Sequence, residues 1–173
     1  MAGGNWVLQH FAVWLAATPI SMVIQNVLWI IPAVQTVHIL AIAVVMSSVA
    51  MITLRIFGLA GRGSTMAETA DRYVPWIWTA LAILALTGLT LITGEPVRSL
   101  TNPAFQLKMA MLAVAIVVTT LFQVTVLRGS VVWTASPRPA PPVRAMALAT
   151  MILWCAIAVA GRWIAYLILD YGA

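Results

Sequence analysis

The stretch WIIPAVQTVHILAIAVVMSSVAMITLRIF, residues 29–57, decides the fold. It exceeds the ~20 consecutive apolar residues needed to cross a bilayer core. Pro32 falls in its first turn, where a missing N–H does no harm, and Gly58 follows its end. Ahead of Arg55 in the last turn, its one ionisable side chain is His38. An ionisable group inside a membrane segment is costly, so it marks either a function or an internal partner.

Three further runs have the same character. They cover about 75–93, stopped by Gly94; 103–128, opened by Asn102-Pro103 and ended by Gly129; and 143–169, after Pro137, Pro139, Pro141 and Pro142. No other histidine and no acid lies inside any of the four runs. Ahead of them, residues 5–17 place Asn5 and Gln9 on a narrow polar face beside Trp6, Phe11 and Trp14. This reads as an interfacial helix ended by Thr18-Pro19, with a second short helix over 19–26. The expected fold is all-α: an integral membrane four-helix bundle in one domain, residues 1–173, with a short N-terminal interfacial helix.

Composition agrees. Of 173 residues, 63% are hydrophobic and 8% charged, against roughly 25% charged in soluble domains. Such a chain cannot cover itself in water, so lipid is its main partner. The net charge of +5 comes from scattered basic residues rather than a basic stripe, which argues against nucleic acid. A lone Cys155 excludes a disulfide framework and a cysteine-based zinc site. Residues 1–9 lack the charged start of a signal peptide.

Charge also orients the bundle. Arg55, Arg62 and Arg72 flank one loop, and Arg128, Arg138 and Arg144 another on the same side; the other side offers Arg98, plus Lys108 and Arg162 inside helix ends. The positive-inside rule then puts both termini on the periplasmic side of a bacterial inner membrane.

At ~1.5 Å rise per residue, His38 lies roughly 12–15 Å below the outer end of its span, Lys108 about 8 Å and Arg162 about 10 Å below theirs. Three polar groups on three helices therefore share the outer leaflet, and Gln35 stands one turn before His38. A haem b standing edge-up suits this order: His38 ligates iron, Gln35 supports it, and Lys108 and Arg162 hold the propionates. His10, folding over from the interfacial helix, is a candidate second ligand, and Met22, Met109 and Met111 offer thioethers. The bland alternatives stay open. A lone intramembrane histidine also serves as an interhelical hydrogen-bond partner, and Lys108 and Arg162 can snorkel to headgroups. Copper is disfavoured, because Met46/Met51, Met109/Met111 and Met146/Met151 miss the i,i+4 face of a methionine ladder. No hydrolytic or nucleotide-binding motif is present. The acids Glu68, Asp71, Glu95 and Asp170 lie outside or at the ends of the runs, which disfavours a pump built on buried carboxylates.

The chain resembles an uncharacterised group of small bacterial four-helix membrane proteins. The likeness rests on Ala17-Thr18-Pro19, Trp29, Pro32, Thr36-Val37-His38, Leu54-Arg55-Ile56-Phe57-Gly58, Asn102-Pro103-Ala104-Phe105 with Lys108, and Gly161-Arg162-Trp163-Ile164-Ala165-Tyr166. More distantly it is similar to CopD-like copper-resistance membrane proteins and to HemJ-type protoporphyrinogen oxidases, four-helix proteins that bind haem b. Those share a histidine in an early helix and a lysine opening a later one, matching His38 and Lys108. Relatives often carry Phe-His near the inner end of the third span, where this chain has Phe122-Gln123. The resemblance implies one haem site at His38 rather than a two-haem path. The expectation is therefore a haem-b protein in electron transfer or oxidation on the periplasmic side, with a membrane or periplasmic redox partner. The alternatives are a cofactor-free anchor or assembly subunit and, third, copper or small-solute transport. Small residues Ala149, Ala156, Ala160 and Gly161 permit close packing within the bundle or in a homo-oligomer.

Overall fold

The computed structural model describes residues 5–61, 63–128 and 141–163, all helix and connecting turns. In chain order the helices are α1 (Asn5–Ala16), α2 (Pro19–Asn26), α3 (Ile30–Ile56), α4 (Met66–Gly94), α5 (Pro96–Leu100), α6 (Pro103–Arg128) and α7 (Pro141–Trp163). Four of them, α3, α4, α6 and α7, are long and apolar enough to cross a membrane. The protein is an all-α membrane bundle. The last residues of the expected fourth run, 164–169, lie outside the described residues.

Local chemistry explains the ends. Thr18 caps α2, its hydroxyl accepting from the Ser21 N–H, and Pro19 occupies the first turn. The α1–α2 pair is bent by 71° at this point. Asn102 opens α6 by accepting the Ala104 N–H at 2.9 Å. α4 departs from expectation: it begins at Met66, so Pro75 is inside the helix instead of opening it. The cause is a capping box that the apolar pattern hides. Thr65 Oγ1 accepts the Glu68 N–H, and Glu68 accepts the Thr65 N–H. Two satisfied N-terminal donors make the extra turns stable, and Glu68, Asp71 and Arg72 ride on this extension.

α3 lies along α4 for much of its length and also packs on α7, which in turn packs on α6; close approaches between α4 and α6 are few. The buried apolar core runs through Val45, Val49, Ile52 and Ile56 of α3, Ile77 and Ala80 of α4, Ala115 and Phe122 of α6, and Ala147, Trp154 and Ile157 of α7. That core fills the middle of the bundle and the half nearest the α3–α4 loop. There Gly58 takes φ +70°, which only glycine adopts without strain, and Arg55 donates to the Ser64 carbonyl at 2.9 Å. Arg144, opening α7, stacks its guanidinium on the Phe57 ring at 5.0 Å and ties α7 to the end of α3.

The other half is built differently. α1 lies on α5, and α2 on the end of α4. Ser21 is fully buried there and donates to the Thr93 carbonyl at 2.6 Å, while Gln25 donates to Ser21 Oγ. This capped end carries the polar residues singled out above.

Candidate functional site

His38 is half-buried at the α3–α4 contact. Its Nδ1 lies 2.7 Å from Thr87 Oγ1. The direction of that bond follows from Thr87 itself. A threonine hydroxyl has one hydrogen. Thr87 Oγ1 also lies 2.7 Å from the carbonyl oxygen of Ile83, one turn earlier on α4. A carbonyl oxygen only accepts, so the hydroxyl hydrogen goes to Ile83, and Thr87 accepts from His38. Nδ1 therefore carries the imidazole proton, and Nε2 carries the lone pair. Assigned from this network, the tautomer leaves the Nε2 lone pair of His38 as the one a metal could take.

Two glycines border these side chains. Gly88 follows Thr87, and a Cβ built there would meet His38 Cε1 at 3.7 Å. On the far side, Lys108 of α6 lays its side chain across Gly161 of α7; a Cβ at Gly161 would meet Nζ at 3.4 Å and Cε at 3.5 Å. His38 thus meets Thr87 and Gly88 at the α3–α4 contact, and Lys108 meets Gly161 at the α6–α7 contact.

The other candidates sit further from this centre. Gln35 is exposed, and the described hydrogen bond of His38 goes to Thr87 across the interface instead of to Gln35 on the same helix. Arg162 follows Gly161 directly and is exposed, on the turn of α7 that Lys108 covers. His10 is exposed on α1 and meets the Trp6 ring edge-on, with centroids 5.9 Å apart. Glu95 and Arg98, at the same end, pair with each other at 2.8 Å. Gln123 lies far down α6, where its Oε1 accepts from Trp78 Nε1 at 2.8 Å.

Thr87 and Gly88 were the residues missed from sequence. Their signal was one of two Thr-Gly pairs in this run, the other being Thr93-Gly94, and it carries nothing until α3 and α4 are placed side by side. Among the described residues, no group of three His, Cys, Asp or Glu side chains gathers to hold a metal unaided.

A family of unknown function, DUF6644, matches residues 16–167. The chain belongs to this family. No curated protein and no solved structure matches it.

Proposed function

We propose that this family member is a haem-b protein of the bacterial inner membrane, working in electron transfer or oxidation at its periplasmic face. The observation that carries the reading is the tautomer of His38. An axial imidazole binds iron through one nitrogen while the other donates to a protein acceptor, which sets ring orientation and basicity. His38 has that arrangement ready, with Nδ1–H spent on Thr87 and Nε2 available.

The ligand count favours a tetrapyrrole over a bare ion. Haem brings four of its own nitrogen ligands, so one protein nitrogen suffices. Copper would need several protein ligands, and no such carboxylate, thiol and imidazole cluster forms among the described residues. Lys108 would pair with a propionate, and Arg162, one residue beyond the glycine under Lys108, would take the other. Bound haem supplies a one-electron couple. The protein's part is to hold the iron, neutralise the propionates and keep the centre within the apolar bundle. The similarity to HemJ-type and CopD-like proteins at His38 and Lys108 supports the same reading.

Orientation follows the arginines: Arg55 and Arg144 at the uncapped end face the cytoplasm, and the capped end with α1 and α2 faces the periplasm. Loops this short leave little room for a catalytic domain between the spans, and electrons would pass to or from a membrane or periplasmic partner. A cofactor-free anchor subunit is the competing class.

Absorption spectroscopy of the chain purified from haem-replete cells separates the two. The haem reading expects a Soret band that His38→Ala abolishes. A folded, colourless wild-type preparation overturns it.

A further inference from the structure

A second polar site lies in the opposite half of the bundle, about 22 Å along α3 from His38 at the level of Thr53. Its centre is Gln123, 9% exposed. Trp78 Nε1 is a donor only, so the Gln123 oxygen must face it, at 2.8 Å. That fixes the amide: the Nε2 group points the other way, and this buried nitrogen has no hydrogen-bond partner among the described residues. Two donors are thus held out of water inside a membrane, where an unmet polar group is costly.

Gln123 lines a small cavity of about 20 Å³. All four membrane-length helices contribute to its mostly apolar wall, and Thr53, Thr119 and Thr150 line it from three of them. Their bonds leave capacity to spare. Thr150 donates to the Met146 carbonyl, which leaves its oxygen able to accept. Thr119 accepts from Trp154 Nε1 at 3.3 Å, and its oxygen has a second lone pair. A buried water needs ~10–15 Å³ of such space and two to four polar partners.

We propose that this cavity binds one ordered water, which accepts from Gln123 Nε2 and donates its two hydrogens to two of the three threonine hydroxyls, tying α6 to a neighbouring helix at this level. Size restricts the ligand to water or a neutral molecule no larger. Access is short: Gln123 is five residues from the end of α6 at Arg128, about 8 Å from that surface. The site is independent of the haem reading and stands if that reading fails.

Water-edited magic-angle-spinning NMR on the full chain in bilayers tests it. The Gln123 side-chain resonance is assigned by its loss in Gln123→Leu. In wild type it is expected to correlate with water as promptly as the exposed glutamines do. Ala147→Val, which fills the cavity, should remove that correlation while the Trp78 indole N–H keeps its hydrogen-bonded shift. Val49→Ile fills the same space from α3 and serves if Ala147→Val does not fold. A wild-type Gln123 resonance that correlates only with protein protons overturns the proposal. So does a water correlation that survives a folded, cavity-filled variant.

Discussion

His38 of α3 donates to Thr87 of α4 across 2.7 Å, and Thr87 passes its own hydrogen back to the Ile83 carbonyl on its own helix. This two-step chain gives the His38 ring a defined orientation, with the lone pair on Nε2. Thr87→Val keeps the shape of the side chain and removes the acceptor. The loss to helix association is small, about 0.6 kcal/mol for an interhelical hydrogen bond in a membrane. The loss to a metal held by His38 is larger, roughly 10–100-fold in affinity, because ring orientation and tautomer are no longer fixed. Haem titration of the purified variant should therefore weaken by about that factor while its thermal unfolding barely moves. Equal affinity in wild type and variant would remove Thr87 from the site.

Lys108 rests on Gly161, so the size of residue 161 controls where the ammonium sits. Lys108 is the chain's only lysine, so amine-reactive labelling reads this one side chain beside the N-terminus. The wild-type protein in bilayers should label slowly. Gly161→Ala should change little, since the Cβ would meet the flexible end of the lysine at 3.4 Å and that end can give way. Gly161→Leu occupies the space outright, drives the ammonium toward the headgroups, and should raise the labelling rate several-fold. An unchanged rate in Gly161→Leu would mean that Lys108 already lies outside the bundle.

The same two contacts show what sequence could and could not reveal. The four long helices were legible because lipid demands about 20 apolar residues in a row, and Pro and Gly punctuate them. His38 and Lys108 were legible because charge stands out against that background. Thr87, Gly88 and the role of Gly161 were not, since a threonine that bonds its own helix and a glycine that makes room look like ordinary membrane residues. Their meaning depends on which helices lie side by side. The start of α4 was hidden for the opposite reason: Pro75 read as a beginning, while the real start, Thr65 with Glu68, lies in a polar stretch where hydropathy is blind.

Gly94 is where α2 docks on α4. A Cβ there would stand 2.9 Å from Ile24 Cγ2 and 3.4 Å from Ile31 Cδ1, closer than packed atoms tolerate. Ser21 holds the same junction through the Thr93 carbonyl. Gly94→Val should destabilise by about 1–3 kcal/mol through overpacking. Ser21→Ala should cost about 1 kcal/mol for the lost bond to a buried carbonyl. Since each change releases the same segment, the double variant should lose less than the sum. Chemical denaturation of the four proteins in detergent gives the cycle. Strict additivity would mean that α2 does not move as a unit.

Thr65 and Glu68 close the polar start of α4 on each other, and the turns they hold carry Asp71 and Arg72 beyond the apolar part of the helix. Removing the cap by Thr65→Ala should cost about 1 kcal/mol, and the loss should stay local. Pro75 sharpens this. It has no N–H to give back to the preceding turn, so the helix ahead of it is joined to the span by one bond fewer. The residues from Met66 to Val74 should then fray as a block in Thr65→Ala, with faster amide exchange there and unchanged exchange from Ile77 onward. Glu68→Ala, which removes only the reciprocal bond to the Thr65 N–H, should fray the same block less. If exchange instead accelerates through Ile77 and Ala80, the cap is coupled to the bundle core rather than to the extension alone.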